Sequence, residues 1–241
     1  MTFTVLSLFP EIVDAFFGSS IMAKAGERGL IQYNPVQIRD FAVDKHRTCD
    51  DYPYGGGAGM VLKPEPLRDA LESVCASGKR VVYPTPSGRV LSQGYARTLS
   101  QEGELVFICG RYEGIDQRII DTYVTDEISI GDYVISSGEI AALVIIDAVY
   151  RLIDGVINEE SLEEESHSHG LLEYPHYTRP EHCLDKEVPE VLLSGNHERI
   201  RRWRRAKQLQ KTRDFRPDLF HRYAMTDEEM KWLKELEQQG G

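Results

Sequence analysis

Residues 105–139, LVFICGRYEGIDQRIIDTYVTDEISIGDYVISSGE, constrain the fold more than any other part of this 241-residue chain. Leu105 to Cys109 is a short apolar run with the pattern of a buried strand, and it passes directly into Gly110-Arg111-Tyr112-Glu113-Gly114. Ile128 to Ile135 reads as a second β-rich run and ends in Ser136-Ser137-Gly138-Glu139. Glycine permits close backbone approach and positive φ, so loops of this kind at strand ends suit small-molecule binding through main-chain groups. Taken singly, Gly110, Gly114 and Gly138 are also explained by tight turns before helices.

The flanking chain alternates strand and helix patterns. Thr2 to Leu8 reads as a strand, and Pro10 opens a helix with Ile12, Val13, Phe16 and Phe17 on one face. Leu30 to Phe41 is a more polar strand region, and Glu65 to Ala76 is a helix. Between them, Asp51 to Met60 holds Gly55, Gly56, Gly57 and Gly59. Met60 stands where a dinucleotide motif needs its last glycine, and no Lys-Ser/Thr pair follows, so neither a Rossmann fingerprint nor a P-loop is present. A flexible surface loop and a ligand-lining loop both fit this composition. In Lys79 to Gly88, Pro84 and Pro86 lack an N–H, and the strand is expected to end there in a rigid turn. Ile140 to Leu152 is an apolar helix, with Arg151 placed to complement the negative end of its dipole.

Beyond this point the composition changes. Residues 159–165, EESLEEE, carry five glutamates, whereas 198–216 carry nine Arg or Lys. The net charge of −11 argues against a general nucleic-acid binder, yet this internal polarity points to an RNA partner for the basic segment. Residues 158–170 are expected to form a mobile acidic linker between a first domain, 1–157, and a helical unit, 171–241. In that unit a long helix should be capped near Ser194 or Asn196, with Ile200, Trp203 and Ala206 as its apolar stripe, and Thr226-Asp227-Glu228-Glu229 should open a final helix. No apolar run reaches membrane-spanning length, the start lacks a basic leader, and the four cysteines are scattered without zinc spacing. A cytoplasmic protein with reduced thiols and no membrane association is expected.

CGRYEGID, SIGDYVISSGE and the YGGGAGM loop together resemble the bacterial tRNA (guanine-N1)-methyltransferases of the TrmD type, in the SPOUT class, over nearly the whole chain. The resemblance implies an α/β fold, a SPOUT-type parallel sheet with a deep trefoil knot, plus a small helical C-terminal domain. It implies S-adenosylmethionine bound by Tyr83, Pro84, Thr85, Pro86, Ser87 and Gly88, by Gly110, Arg111, Tyr112, Glu113 and Gly114, and by Ile130, Gly131, Tyr133, Ile135 and Gly138. Glu113 and Asp116 would supply negative charge for the sulfonium, although Asp116 also suits a helix N-terminus. Gly55, Gly56, Gly57 and Gly59 would face the substrate RNA. So would His176, Tyr177, Thr178, Arg179, Ser194, Gly195, Asn196, His197, Arg201, Arg202, Arg204 and Arg205.

The catalytic pair carried over by the resemblance is Glu165 as base and Arg151 as the cation facing O6 of the guanine. The family's Asp-Ser-Phe triplet reads Glu165-Ser166-His167 here; Glu164 is an alternative base, and His167 either stacks on a base or is solvated. Ser137 and Ala141 also depart from the family's usual glycine and proline. A homodimer with the active site at the subunit interface is implied, acting on the guanosine at tRNA position 37 and supporting reading-frame maintenance; DNA is not an expected partner. Magnesium is raised as an assisting ion, with no fixed metal site in the sequence. The alternatives are a SPOUT methyltransferase for another RNA nucleotide and a noncatalytic, cofactor-sensing RNA-binding protein.

Overall fold

The computed structural model describes residues 1–157, 166–167 and 170–239. The chain divides into two compact units, 1–157 and 158–241.

The first unit is built on five parallel strands: β1 (Thr2–Ser7), β2 (Gln32–Gln37), β5 (Arg80–Val90), β6 (Glu104–Ile108) and β7 (Asp126–Ser129). Their order across the sheet is β2-β1-β6-β5-β7. Period-two alternation sends Phe3, Val5, Leu105 and Phe107 to one apolar cluster and Leu6, Val106 and Ile108 to another. Both faces are therefore covered, as a parallel sheet requires. Helices α1 (Pro10–Phe17), α2 (Ser20–Glu27), α4 (Gln93–Leu99) and α6 (Gly138–Tyr150) pack on the first face. Helices α3 (Pro64–Ser73) and α5 (Gln117–Tyr123) cover the other. A two-residue ladder, β3 (Asp50–Asp51) with β4 (Val61–Leu62), closes the base of the glycine-rich loop.

Two strand expectations are corrected. The prolines do not terminate β5: Pro84 and Arg89 both pair with Ile128, and Val90 with Ser129. Residues 85–88 leave the ladder as an excursion, after which the chain returns to the same edge. Here Gly88 is obligatory, because a Cβ would lie 2.5 Å from the backbone of Glu127 and Ile128. The run from Ile128 to Ile135 is strand only to Ser129. Past that point Gly131 takes φ 146° and the Tyr133 N–H returns to its carbonyl at 2.9 Å, turning the chain into a loop that leaves Tyr133 and Val134 exposed.

In the second unit, a small core of Leu171, Leu209 and Leu233 is flanked by Phe220, Tyr223 and Met225. A hairpin, β8 (His182–Cys183) with β9 (Lys186–Glu187), precedes α7 (Glu190–Leu193) and the long α8 (His197–Phe215). Asn196, not Ser194, caps α8, its side chain accepting from the Arg199 N–H. After α9 (Pro217–Arg222), Thr226 and Glu229 form a reciprocal capping box at α10 (Asp227–Gln239).

Candidate active site

The carboxyl ends of β5, β6 and β7 open into a cavity of about 230 Å³, the position at which parallel α/β sheets present their loops to ligands. Fourteen of the sixteen residues expected to hold a cofactor line it: Tyr83 to Pro86, Gly110 to Gly114, and Ile130, Gly131, Tyr133, Ile135 and Gly138. Ser87 and Gly88 do not; they belong to the excursion that packs back on β7. Ile128, Ser129, Val134, Ser136, Ser137 and Ala141 also line the cavity, without having been assigned to the cofactor from the sequence. Their position on or directly beside the same loops, Ile128 and Ser129 ending β7 and Ala141 in the first turn of α6, was the available signal.

Close backbone approach shapes the cavity floor. Gly138 donates its N–H to the Gly110 carbonyl at 3.1 Å, and a Cβ on Gly138 would sit 2.5 Å from Gly110 N. Tyr83 is buried beneath Gly110 and Gly114, and burial pushes its phenol above the usual range. Such a cradle of exposed main chain, bordered by the Glu113 carboxylate, fits an adenosyl group attached to a cationic sulfonium. The two departures from the resemblance are harmless here. Ser137 lies at φ −139°, ψ 116°, extended backbone that needs no glycine. Ala141 makes only a 3.5 Å bond from its N–H to the Ser137 carbonyl, so proline or alanine can stand there.

Asp116 is not in the cavity wall. It is the N-cap of α5, accepting from the Arg118 N–H at 2.9 Å, and the Arg118 side chain holds its carboxyl below the usual range. The structure thus selects the helix-terminal role.

The glycine-rich loop adjoins the cavity wall. Glu113 donates its N–H to the Met60 carbonyl at 3.0 Å, Leu62 donates to Gly114, and Asp116 donates to Leu62. Gly59, at φ +90°, abuts the Glu113 side chain, whereas Gly55, Gly56 and Gly57, all at positive φ, face open space. Arg151 is the C-cap of α6, at the end opposite Gly138. Thirteen helical residues place the two about 20 Å apart. Glu165 and Glu164 lie outside the described residues; of the triplet, Ser166 accepts from the Glu173 N–H at 3.0 Å and His167 donates its N–H to Leu171 at 2.9 Å.

On the second unit, His176, Tyr177, Thr178, Arg179 and the stretch Ser194 to His197 are exposed, as are Arg201 and Arg202. Arg202 pairs with Glu198, and Arg204 lies over the Tyr174 ring at 4.7 Å. Arg205 differs from the expectation. Its Nε donates to Glu229 at 2.6 Å, its Nη1 to Gln208 and its Nη2 to Tyr223, so its donors are used in joining α8 to α10. Among the described residues, no group of three or more His, Cys, Asp or Glu is arranged to hold a metal. None of the described helices is long and apolar enough to cross a membrane.

Residues 1–222 match the family described as tRNA (Guanine-1)-methyltransferase TrmD. The chain belongs to the TrmD family. It is 65% identical to a Treponema denticola protein named tRNA (guanine-N(1)-)-methyltransferase, over 98% of this chain and 99% of that one. Proteins of the same name from Treponema pallidum and Caldicellulosiruptor saccharolyticus are 60% and 55% identical, covering 98% and 97% of this chain and 96% of each relative. The TrmD match takes in the whole cavity, α6 and α8 and stops before α10.

Proposed function

We propose that this protein methylates N1 of the guanosine at tRNA position 37, in the cytoplasm and as a homodimer, and so supports reading-frame maintenance. The observation that carries the reading is the convergence of three strand-end loops on one glycine-floored cavity in a chain that matches TrmD from residue 1 to 222. We further propose that the chain is threaded there as a trefoil knot; the packing of Gly138 directly on Gly110 supports that threading. S-adenosylmethionine, when bound, supplies a methyl group on a cationic sulfonium. Glu113 favours that charge, and the main chain of the three loops reads the adenine edge.

Guanine N1 carries a proton and cannot attack until it leaves. Glu165 takes that proton, and Arg151 faces O6, stabilising the charge that develops across N1 and O6. Arg151 sits about 15 Å along α6 from Ala141, the nearest helix residue lining its own cavity, and this separation supports a second copy as the source of the cation. The uncovered Ile140 and Val144, one turn apart on α6, support that pairing. The second unit holds the tRNA, with Arg201 and Arg202 on phosphates and Tyr177, 6.3 Å from Trp203, beside unpaired bases.

The test is transfer of labelled methyl from S-adenosylmethionine to unmodified tRNA carrying guanosine at position 37, for wild type and Glu165→Gln. Label on N1 for wild type, with loss of transfer and retention of both ligands in the variant, is expected. A wild type that binds both ligands without transfer would replace this reading with the cofactor-sensing RNA-binding one.

A further inference from the structure

Glu139 is fully buried at the start of α6, beside the cavity and uninvolved in the proposed chemistry. Its carboxylate has three partners from three places in the chain. The Ser7 hydroxyl donates to Oε1 at 2.6 Å, the Ser137 hydroxyl to Oε2 at 2.8 Å, and Arg111 Nη2 lies 3.0 Å from Oε2. Arg111 itself lines the cavity, with its side chain 18% exposed and its guanidinium 4.6 Å above the Phe9 ring. Its Nε is buried and has no hydrogen-bond partner among the described residues.

A guanidinium is always charged, so Arg111 places a permanent positive charge in the wall of this cavity. The amino end of α6 begins at Gly138 in the same wall and adds partial positive charge. A site meant for a cationic ligand is then wrongly charged unless something cancels it. Glu139 is the buried anion in contact with Arg111.

We infer that Glu139 is a positioning residue that fixes and neutralises Arg111, and thereby sets the cavity's preference for the cationic sulfonium of S-adenosylmethionine over the neutral thioether of S-adenosylhomocysteine. This rests on the cofactor reading above and adds a charge-selective element to it. A carboxylate that only anchors α6 would, when removed, loosen the site for both nucleosides alike. A neutralising carboxylate penalises the charged one.

The experiment measures dissociation constants of S-adenosylmethionine and S-adenosylhomocysteine, by calorimetry without tRNA, for wild type and Glu139→Gln. In the variant the ratio of the first constant to the second should rise roughly tenfold, as expected for an uncancelled charge near a sulfonium at intermediate dielectric. Equal weakening of both, or no weakening, overturns the inference and leaves the cofactor reading intact. Failure of wild type to bind either nucleoside overturns the cofactor reading instead. Should Glu139→Gln not fold, Arg111→Gln is read in its place. There the Ser7 and Ser137 hydroxyls still hold the Glu139 side chain in place, and the ratio should fall; a ratio at the wild-type value overturns the inference.

Discussion

Two buried carboxylates sit at opposite ends of the parallel sheet and are built from nearly the same parts. Asp126 opens β7 at the amino ends of the strands; Glu139 follows the loop at their carboxyl ends. Each takes an arginine and two hydroxyl groups: Arg80, Tyr95 and Thr125 for the first, Arg111, Ser7 and Ser137 for the second. The arginines differ. Arg80 grips Asp126 with two donors at 2.9 Å and Glu102 with a third, tying β5, β7 and the turn between α4 and β6 into one block. Arg111 touches Glu139 through one nitrogen, makes only a 3.5 Å bond from Nη1 to the Ser136 carbonyl, lies over the Phe9 ring, and is also one of the residues lining the cavity. The difference lies in the partners: all three Arg80 nitrogens bond to carboxylates, whereas Arg111 bonds one carboxylate and also lines a cavity, where the inferred charge discrimination would act.

The largest effect should come from Asp126→Ala, which leaves Arg80 with only Glu102 and strips two of its hydrogen bonds, and should cost about 3–5 kcal/mol in denaturant unfolding. Glu139→Gln should cost clearly less by the same measurement; equal losses would break the comparison. Gly138→Ala comes next, with a Cβ 2.5 Å from Gly110 N forcing the two loops apart. About 2–3 kcal/mol of destabilisation and loss of nucleoside binding should appear together, and an alanine variant with intact binding would contradict the role given to the packing of Gly138 on Gly110.

The pH dependence separates the two ends further. Burial raises the Asp126 pKa, but hydrogen bonds from Arg80, Tyr95 and Thr125 outweigh it and leave the group at about 2. A pKa depressed in the folded state gives stability that is present above the unfolded value, about 4, and lost as pH falls through 2. About 2 kcal/mol should disappear in that window, and Asp126→Asn should flatten the acid limb of the stability–pH curve. The smallest effect is expected from Ser137→Ala, which removes one hydroxyl from Glu139 and should cost about 1 kcal/mol without altering the fold. Thermal unfolding reads it directly.

The apolar runs of β1, β6, α1 and α6 were legible because each repeats at its own period and faces a single layer of core. The excursion in β5 was not, because whether a strand resumes beyond two prolines depends on its neighbour, here Ile128, pairing with both Pro84 and Arg89. Tyr133, Val134 and Ile135 carry strand propensity but pair with no strand among the described residues, so propensity alone overextended β7. Most of the cavity lining was readable because it sits on motif loops. Glu139 was overlooked for the opposite reason: a glutamate in a first helical turn looks like a dipole complement, and its partner Ser7 lies 132 residues away. Arg205 shared its basic neighbourhood with exposed arginines, and only Glu229 and Tyr223, supplied from later in the chain, distinguish it.

The hydrogen bonds of Met60 and Leu62 to residues 113, 114 and 116 have a mechanical meaning. They make the cavity wall a pivot and the glycine-rich segment a pointer, with fully exposed Tyr54 close to its free end. Glycines at positive φ with nothing in contact give that pointer little stiffness of its own. A small displacement of Glu113 is thus delivered to the loop as a change in the direction from which it starts.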